Sequence, residues 1–224
     1  MIKGTRVVAA LLLLLAVSCG GSTAAAPSPT PEISPPLDQI LSASKAIEYQ
    51  VTYKLTATGQ PQIFSGQQAW YFKPGKARFD LRSTVAGQSS SMSLFALPDG
   101  TFMCLGTGAL AECTIISGLE KAMQQNPAAF YLASLTAHPE QFSAVPVGTR
   151  HIAEQHAHCY EVHPVAGSSS LADARFCFTA QGIPVVVRVG AQVGQWSMEA
   201  TSLWTAAPDS DFTLPANPIA VGQP

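Results

Sequence analysis

Charge is scarce in this 224-residue chain: 12 lysines and arginines against 14 aspartates and glutamates, 12% of the residues, with a formal net charge of −2. No basic run occurs, so the electrostatic footprint that nucleic-acid binding requires is missing. There is no C-x-x-C, which removes a thioredoxin-like redox role, and the cysteine spacings fit no common zinc pattern. G-x-S-x-G, a P-loop and a dinucleotide-binding glycine turn are all absent. Carboxylates are sparse and no pair stands out for acid–base work. The one nucleophile-like match, Ser42-Ala43-Ser44-Lys45, lacks the S-D-N and K-T-G elements that accompany S-x-x-K in penicillin-recognising enzymes. It reads as a solvated helix face. A non-enzymatic protein without a cofactor is expected.

A bilayer-length apolar run is also missing. Val7–Val17 is eleven residues long, against about 20 for a spanning helix. With Lys3 and Arg6 before it, the run fits the core of a secretion signal. It ends Leu15-Ala16-Val17-Ser18-Cys19, which resembles the bacterial lipobox, although leucine is commoner where Ala16 stands. That resemblance implies cleavage after residue 18 and acylation of Cys19, palmitate being one such chain, so that lipid holds the protein on the outer side of a cell membrane. Removal of Lys3 and Arg6 would take the net charge from −2 to −4. Residues 19–36 are then the lipidated cysteine and a Gly/Ala/Ser/Thr/Pro-rich tether that cannot bury a core and is expected to be disordered. The expected organisation is a signal over 1–18, the tether, one domain over 37–216 and a tail over 217–224.

Setting Cys19 aside leaves four of the five cysteines, an even number that suits disulfides in an oxidising compartment. Of three possible connectivities, Cys104–Cys113 and Cys159–Cys177 are favoured because both are local and suit a meander of hairpins.

Period-two alternation dominates the domain. In IEYQVTYKLTAT, Ile47, Tyr49, Val51, Tyr53, Leu55 and Ala57 fall on one face and polar residues on the other, the signature of a half-buried strand. A Pro74-Gly75 turn joins the next two strands, with Phe79 and Leu81 alternating against Arg78, Asp80 and Arg82. Residues 47–105 read as five meandering strands. The period then changes: Leu119, Ala122 and Met123 suggest one short helix, and Ala128, Tyr131, Leu132 and Leu135 a second, stopped by Pro139. Strands resume at Thr149. The expected class is α+β: a curved antiparallel sheet of eight to ten strands with short helices on its concave face.

Histidines 151, 156, 158 and 163 cluster with Glu154 and Glu161. His156 and His158 share a strand face and could bind Zn²⁺ or Cu²⁺ if a third ligand arrived from a neighbour. The plainer reading is a solvent-facing strand without metal.

Three segments resemble the LolA/LppX-like (LprG-type) lipoprotein-carrier group: the short helix leading into IEYQVTYKLTAT, the WYFKPGKARFDL hairpin and the closing PDSDFTLP. The resemblance covers residues 37–216 in outline. It implies an unclosed half-barrel whose cavity, between sheet and helices, holds acyl chains, and it brings no catalytic residue. Tyr49, Val51, Tyr53, Phe79 and Leu81 are the candidate cavity residues. The expected function is non-catalytic binding or carriage of a lipid or other hydrophobic molecule by a membrane-anchored lipoprotein. The alternatives are an envelope sensor or assembly module that binds another protein through the same sheet, and a metal-binding lipoprotein.

Overall fold

The computed structural model describes residues 34–43, 47–58, 64–85, 87–117, 139–165, 173–191 and 194–219. They build one antiparallel sheet of eleven strands: β1 (Tyr49–Thr58), β2 (Phe64–Lys73), β3 (Lys76–Val85), β4 (Gln88–Leu97), β5 (Gly100–Leu105), β6 (Glu112–Ile116), β7 (Phe142–Ile152), β8 (Gln155–Pro164), β9 (Ala174–Thr179), β10 (Pro184–Ala191) and β11 (Gly194–Trp204). Their order is β6-β5-β4-β3-β2-β1-β11-β10-β9-β8-β7. Two meanders therefore meet where β1 pairs with β11, and β6 and β7 are the outermost strands among the described residues.

The five strands expected over 47–105 are all present, and the alternation in β1 becomes burial: Tyr49, Val51, Tyr53 and Leu55 are at most 2% exposed. Gly75 sits at φ 82°, the left-handed position that a type II turn gives to the residue after proline.

The count departs from eight to ten because two strands lack the alternating pattern. Strand β6 is five residues long, and the Cys104–Cys113 bond fastens it directly opposite β5. Strand β7 begins at Phe142, seven residues before Thr149, and carries Pro146 in its interior. An edge strand tolerates proline because one side of it donates no ladder hydrogen bond.

The class also shifts toward all-β. Among the described residues the only α-helix is α1 (Leu37–Ala43), which inserts Ile40 into the core. The helices expected around Leu119–Met123 and Ala128–Leu135 lie outside the described residues.

The sheet is strongly curled. Arg150 on β7 comes within 4.0 Å of Glu199 on β11, although three strands stand between them; four spacings of a flat sheet would be about 19 Å. A row of charges crosses the same face, with Glu161 bonded to Arg175 and Arg188 to Glu199 at 3.1 Å.

The core lies mainly under β1, β2 and β8–β11. One of its buried hydroxyls is tied to backbone across a long sequence distance. Tyr53 donates its hydroxyl to the Pro184 carbonyl at 2.6 Å. We expect Tyr53→Phe to lower stability by about 1–2 kcal/mol, because the buried carbonyl loses its partner. Chemical denaturation checks this, and an unchanged midpoint would show that the carbonyl finds another donor.

Candidate ligand-binding face

The cross-strand register decides which side chains share a surface. Tyr49 stands opposite Phe72, Val51 opposite Trp70, Trp70 opposite Phe79, and Phe79 opposite Leu94. All therefore project from one face. On the other half of the sheet, Leu55 meets Met198, which leads through Val187 and Phe176 to Tyr160. An almost continuous apolar face runs from β4 to β8.

The five cavity candidates occupy two environments on this face. Tyr49, Val51 and Tyr53 sit in filled core. Tyr49 stacks on Phe72 with ring centroids 5.5 Å apart, and its burial pushes the phenol well above the usual tyrosine pKa. Phe79 and Leu81 are only half-buried, and so are their β4 neighbours Met92 and Leu94. Trp70 meets Phe79 edge-on at 4.7 Å and joins the two environments.

The N-terminal segment is laid over the β8 end of the face. Tyr160 donates to the Pro35 carbonyl at 2.6 Å, and Ser34 Oγ lies 3.3 Å from His158 Nδ1. Burial raises the Tyr160 pKa.

The same contacts divide the histidines. His158 is buried against Ser34, while His156 on the same face is exposed, with its ring 5.6 Å away. His163 pairs with Asp173 at 2.9 Å on the opposite face. No group of three His, Cys, Asp or Glu side chains able to hold a metal occurs among the described residues. Ser42 donates to the Gln39 carbonyl at 2.8 Å on an exposed helix turn, and Lys45 lies outside the described residues.

The second face contains features that alternation does not reveal. There the C-terminal segment after β11 crosses β3–β6. A 3-10 turn, Asp209–Phe212, buries Phe212, and Leu214 and Ala216 pack on Phe95, Phe102 and the Cys104–Cys113 bond. Ile219 then donates to the Cys113 carbonyl at 2.8 Å. Arg78 lies beneath this segment, between Tyr71 and Phe95, its guanidinium 4.9 and 5.1 Å from the ring centroids. Burial first, and then the Asp80 charge, raise the Tyr71 pKa. At the margin, Asp209 accepts from Lys76 at 2.9 Å and lies 3.5 Å from Lys73. The Lys76 hydrogen bond, and then the Lys73 charge, hold its carboxyl below the usual range. A surface groove of about 410 Å³ opens here between Lys76, Leu97, Pro98, Asp99 and Phe212. Asp209 lines it as well and is paired with Lys76. A clue to this arrangement was present in PDSDFTLP, where an aromatic residue and a leucine punctuate a polar stretch.

No family model matches the sequence, and no curated protein matches it. Solved structures do match. MucB aligns over 80% of this chain at 16% identity with a TM-score of 0.53, and the Pseudomonas aeruginosa MucA/MucB complex does so at 17% and 0.50. This chain spans about three fifths of the length of those MucB chains, 61% and 59%. The Mycobacterium tuberculosis lipoprotein LppX aligns over 73% of this chain and 90% of its own, at 12% identity and a TM-score of 0.46. The chain thus shares the fold of a large antiparallel sheet with the matched part of MucB.

Proposed function

We propose that this protein is an extracytoplasmic lipoprotein, anchored through acylated Cys19, that binds a lipid or another hydrophobic molecule on its apolar face without chemically altering it. The observation that carries the reading is the half-buried band Phe79, Leu81, Met92 and Leu94, which continues a fully buried core. Among the described residues α1 is the only α-helix on that face, and it covers the other end. Large apolar side chains in that position gain about 25 cal/mol for each Å² of acyl surface they help remove from water. Two disulfides support an oxidising compartment. With few charges on the face, the ligand is recognised by its apolar body.

Titrating the purified protein with a fluorescent fatty-acid analogue, in competition with palmitate, tests this. Saturable binding is expected. Leu94→Gln and Leu81→Gln should each weaken it about tenfold, or 1.4 kcal/mol, while thermal stability changes little. Absence of saturable uptake overturns the lipid reading.

A second reading, binding of another envelope protein through the same sheet, draws on MucB, whose crystal structures include a complex with MucA. It becomes the working reading if lipid uptake fails.

A further inference from the structure

The two edges of the sheet are finished differently. The C-terminal segment bridges β6 through Ile219 and Thr114. The β7 edge has no strand beyond it among the described residues. Residues 143–151 of β7 are exposed without a break, and they include an uninterrupted apolar run, Ala144-Val145-Pro146-Val147. Val145 and Val147 are 46% and 43% exposed. Four consecutive exposed apolar residues on a sheet edge are a liability in water unless they meet something.

Backbone pairing with another strand is blocked at this place. Pro146 has no N–H to donate, and the register with β8 slips between Pro146 and Thr149, where Gly148 takes φ 98°. A partner must therefore read the side chains and leave the backbone alone. A lipid surface does this and a β-strand does not.

The chain's own anchor points to the same edge. Tyr160 and His158, which hold Pro35 and Ser34, lie on β8, immediately beside β7. The fifteen residues Cys19–Ile33 separate that point from the acylation site. The point at which the tether joins the domain therefore lies beside the β7 edge.

We infer that the β7 edge, centred on Val145-Pro146-Val147, is a membrane-contact surface that rests the domain against the lipid to which Cys19 anchors it. The inference rests on the anchoring reading above.

Hydrogen–deuterium exchange tests it on the full acylated chain in phosphatidylethanolamine/phosphatidylglycerol vesicles, with the unacylated Cys19→Ala chain and the same vesicles as reference. Peptides covering Ala144–Gly148 should exchange about fivefold or more slowly on the vesicles. Peptides covering Ser89–Ser90 and Thr107–Leu110 should not change. Val145→Asp with Val147→Asp should remove the protection and leave the acyl mass in place. Acylated, vesicle-bound protein with an unprotected β7 overturns this inference alone, and so does protection that appears around Leu110. A chain whose mass shows no acyl group on Cys19 overturns the anchoring reading and this one together.

Discussion

Replacing Cys159 and Cys177 together by alanine is expected to lower the unfolding free energy by about 3 kcal/mol and the melting temperature by about 10 °C. The two residues stand directly opposite one another on β8 and β9 and are at most 2% exposed. Their sequence separation is 18, so the bond removes loop-closure freedom from the unfolded chain. Both sulfurs also sit within the main core cluster, so two alanines would leave a void as well as a freed loop. Thermal denaturation with and without reductant checks this. A reductant should bring the parent protein down toward the double variant and leave the variant itself almost unmoved, apart from the effect of Cys104–Cys113. If the variant melted with the parent, the bond would be ornamental and the packing around Phe176 and Tyr160 sufficient.

Arg78→Ala should cost a similar amount, about 3 kcal/mol, by a different route. Arg78 makes a two-pronged contact with Asp80, Nε to Oδ1 at 2.8 Å and Nη2 to Oδ2 at 2.7 Å, and its Nη1 donates to the Asp211 carbonyl at 2.8 Å. The Arg78 and Asp80 side chains are 24% and 17% exposed. Removing the guanidinium leaves a partly buried carboxylate without its counter-charge, takes the donor from the C-terminal segment and empties the gap between Tyr71 and Phe95. Arg78→Lys keeps the charge but has neither the planar fork nor the stacking surface, so it should recover less than half of the loss. Two readouts separate this from a generic surface effect. The denaturation midpoint should fall, and amide exchange across residues 209–216 should speed up more than exchange in β8–β9. Variants within about 0.5 kcal/mol of the parent, the range of ordinary surface substitutions, would show that the stack is incidental.

Alternation is legible wherever one side of a strand is buried and the other is wet. For that reason β1 through β5 could be placed from residues 47–105, and the apolar face from Tyr49, Val51, Tyr53, Phe79 and Leu81. The short β6 and the edge strand β7 escaped because neither alternates: Cys104–Cys113 holds the first, and tolerance of Pro146 at a sheet edge permits the second. Alternation set Arg78 on the face opposite Phe79 and Leu81, with Asp80 and Arg82. Alternation gives the face to which a side chain points but not what is later laid across that face, and here it is a segment 133 residues further along the chain.

Composition and short-range pattern by themselves determined a weakly charged domain rich in antiparallel strands. These properties depend on neighbours within a few residues, through side-chain period and turn chemistry. Only the tertiary structure decided which strands meet. It joined β1 to β11 and so placed the first and last strands at the centre of the sheet. It also divided one apolar face into a filled core and a half-buried band, and it left β7 with no strand beyond it among the described residues. Those outcomes depend on contacts between residues more than a hundred positions apart, such as Tyr53 with Pro184, Tyr160 with Pro35 and Arg78 with Asp211. Their formation requires closing long loops, and the gain that offsets the closure comes from the assembled core, which no local stretch of the sequence contains.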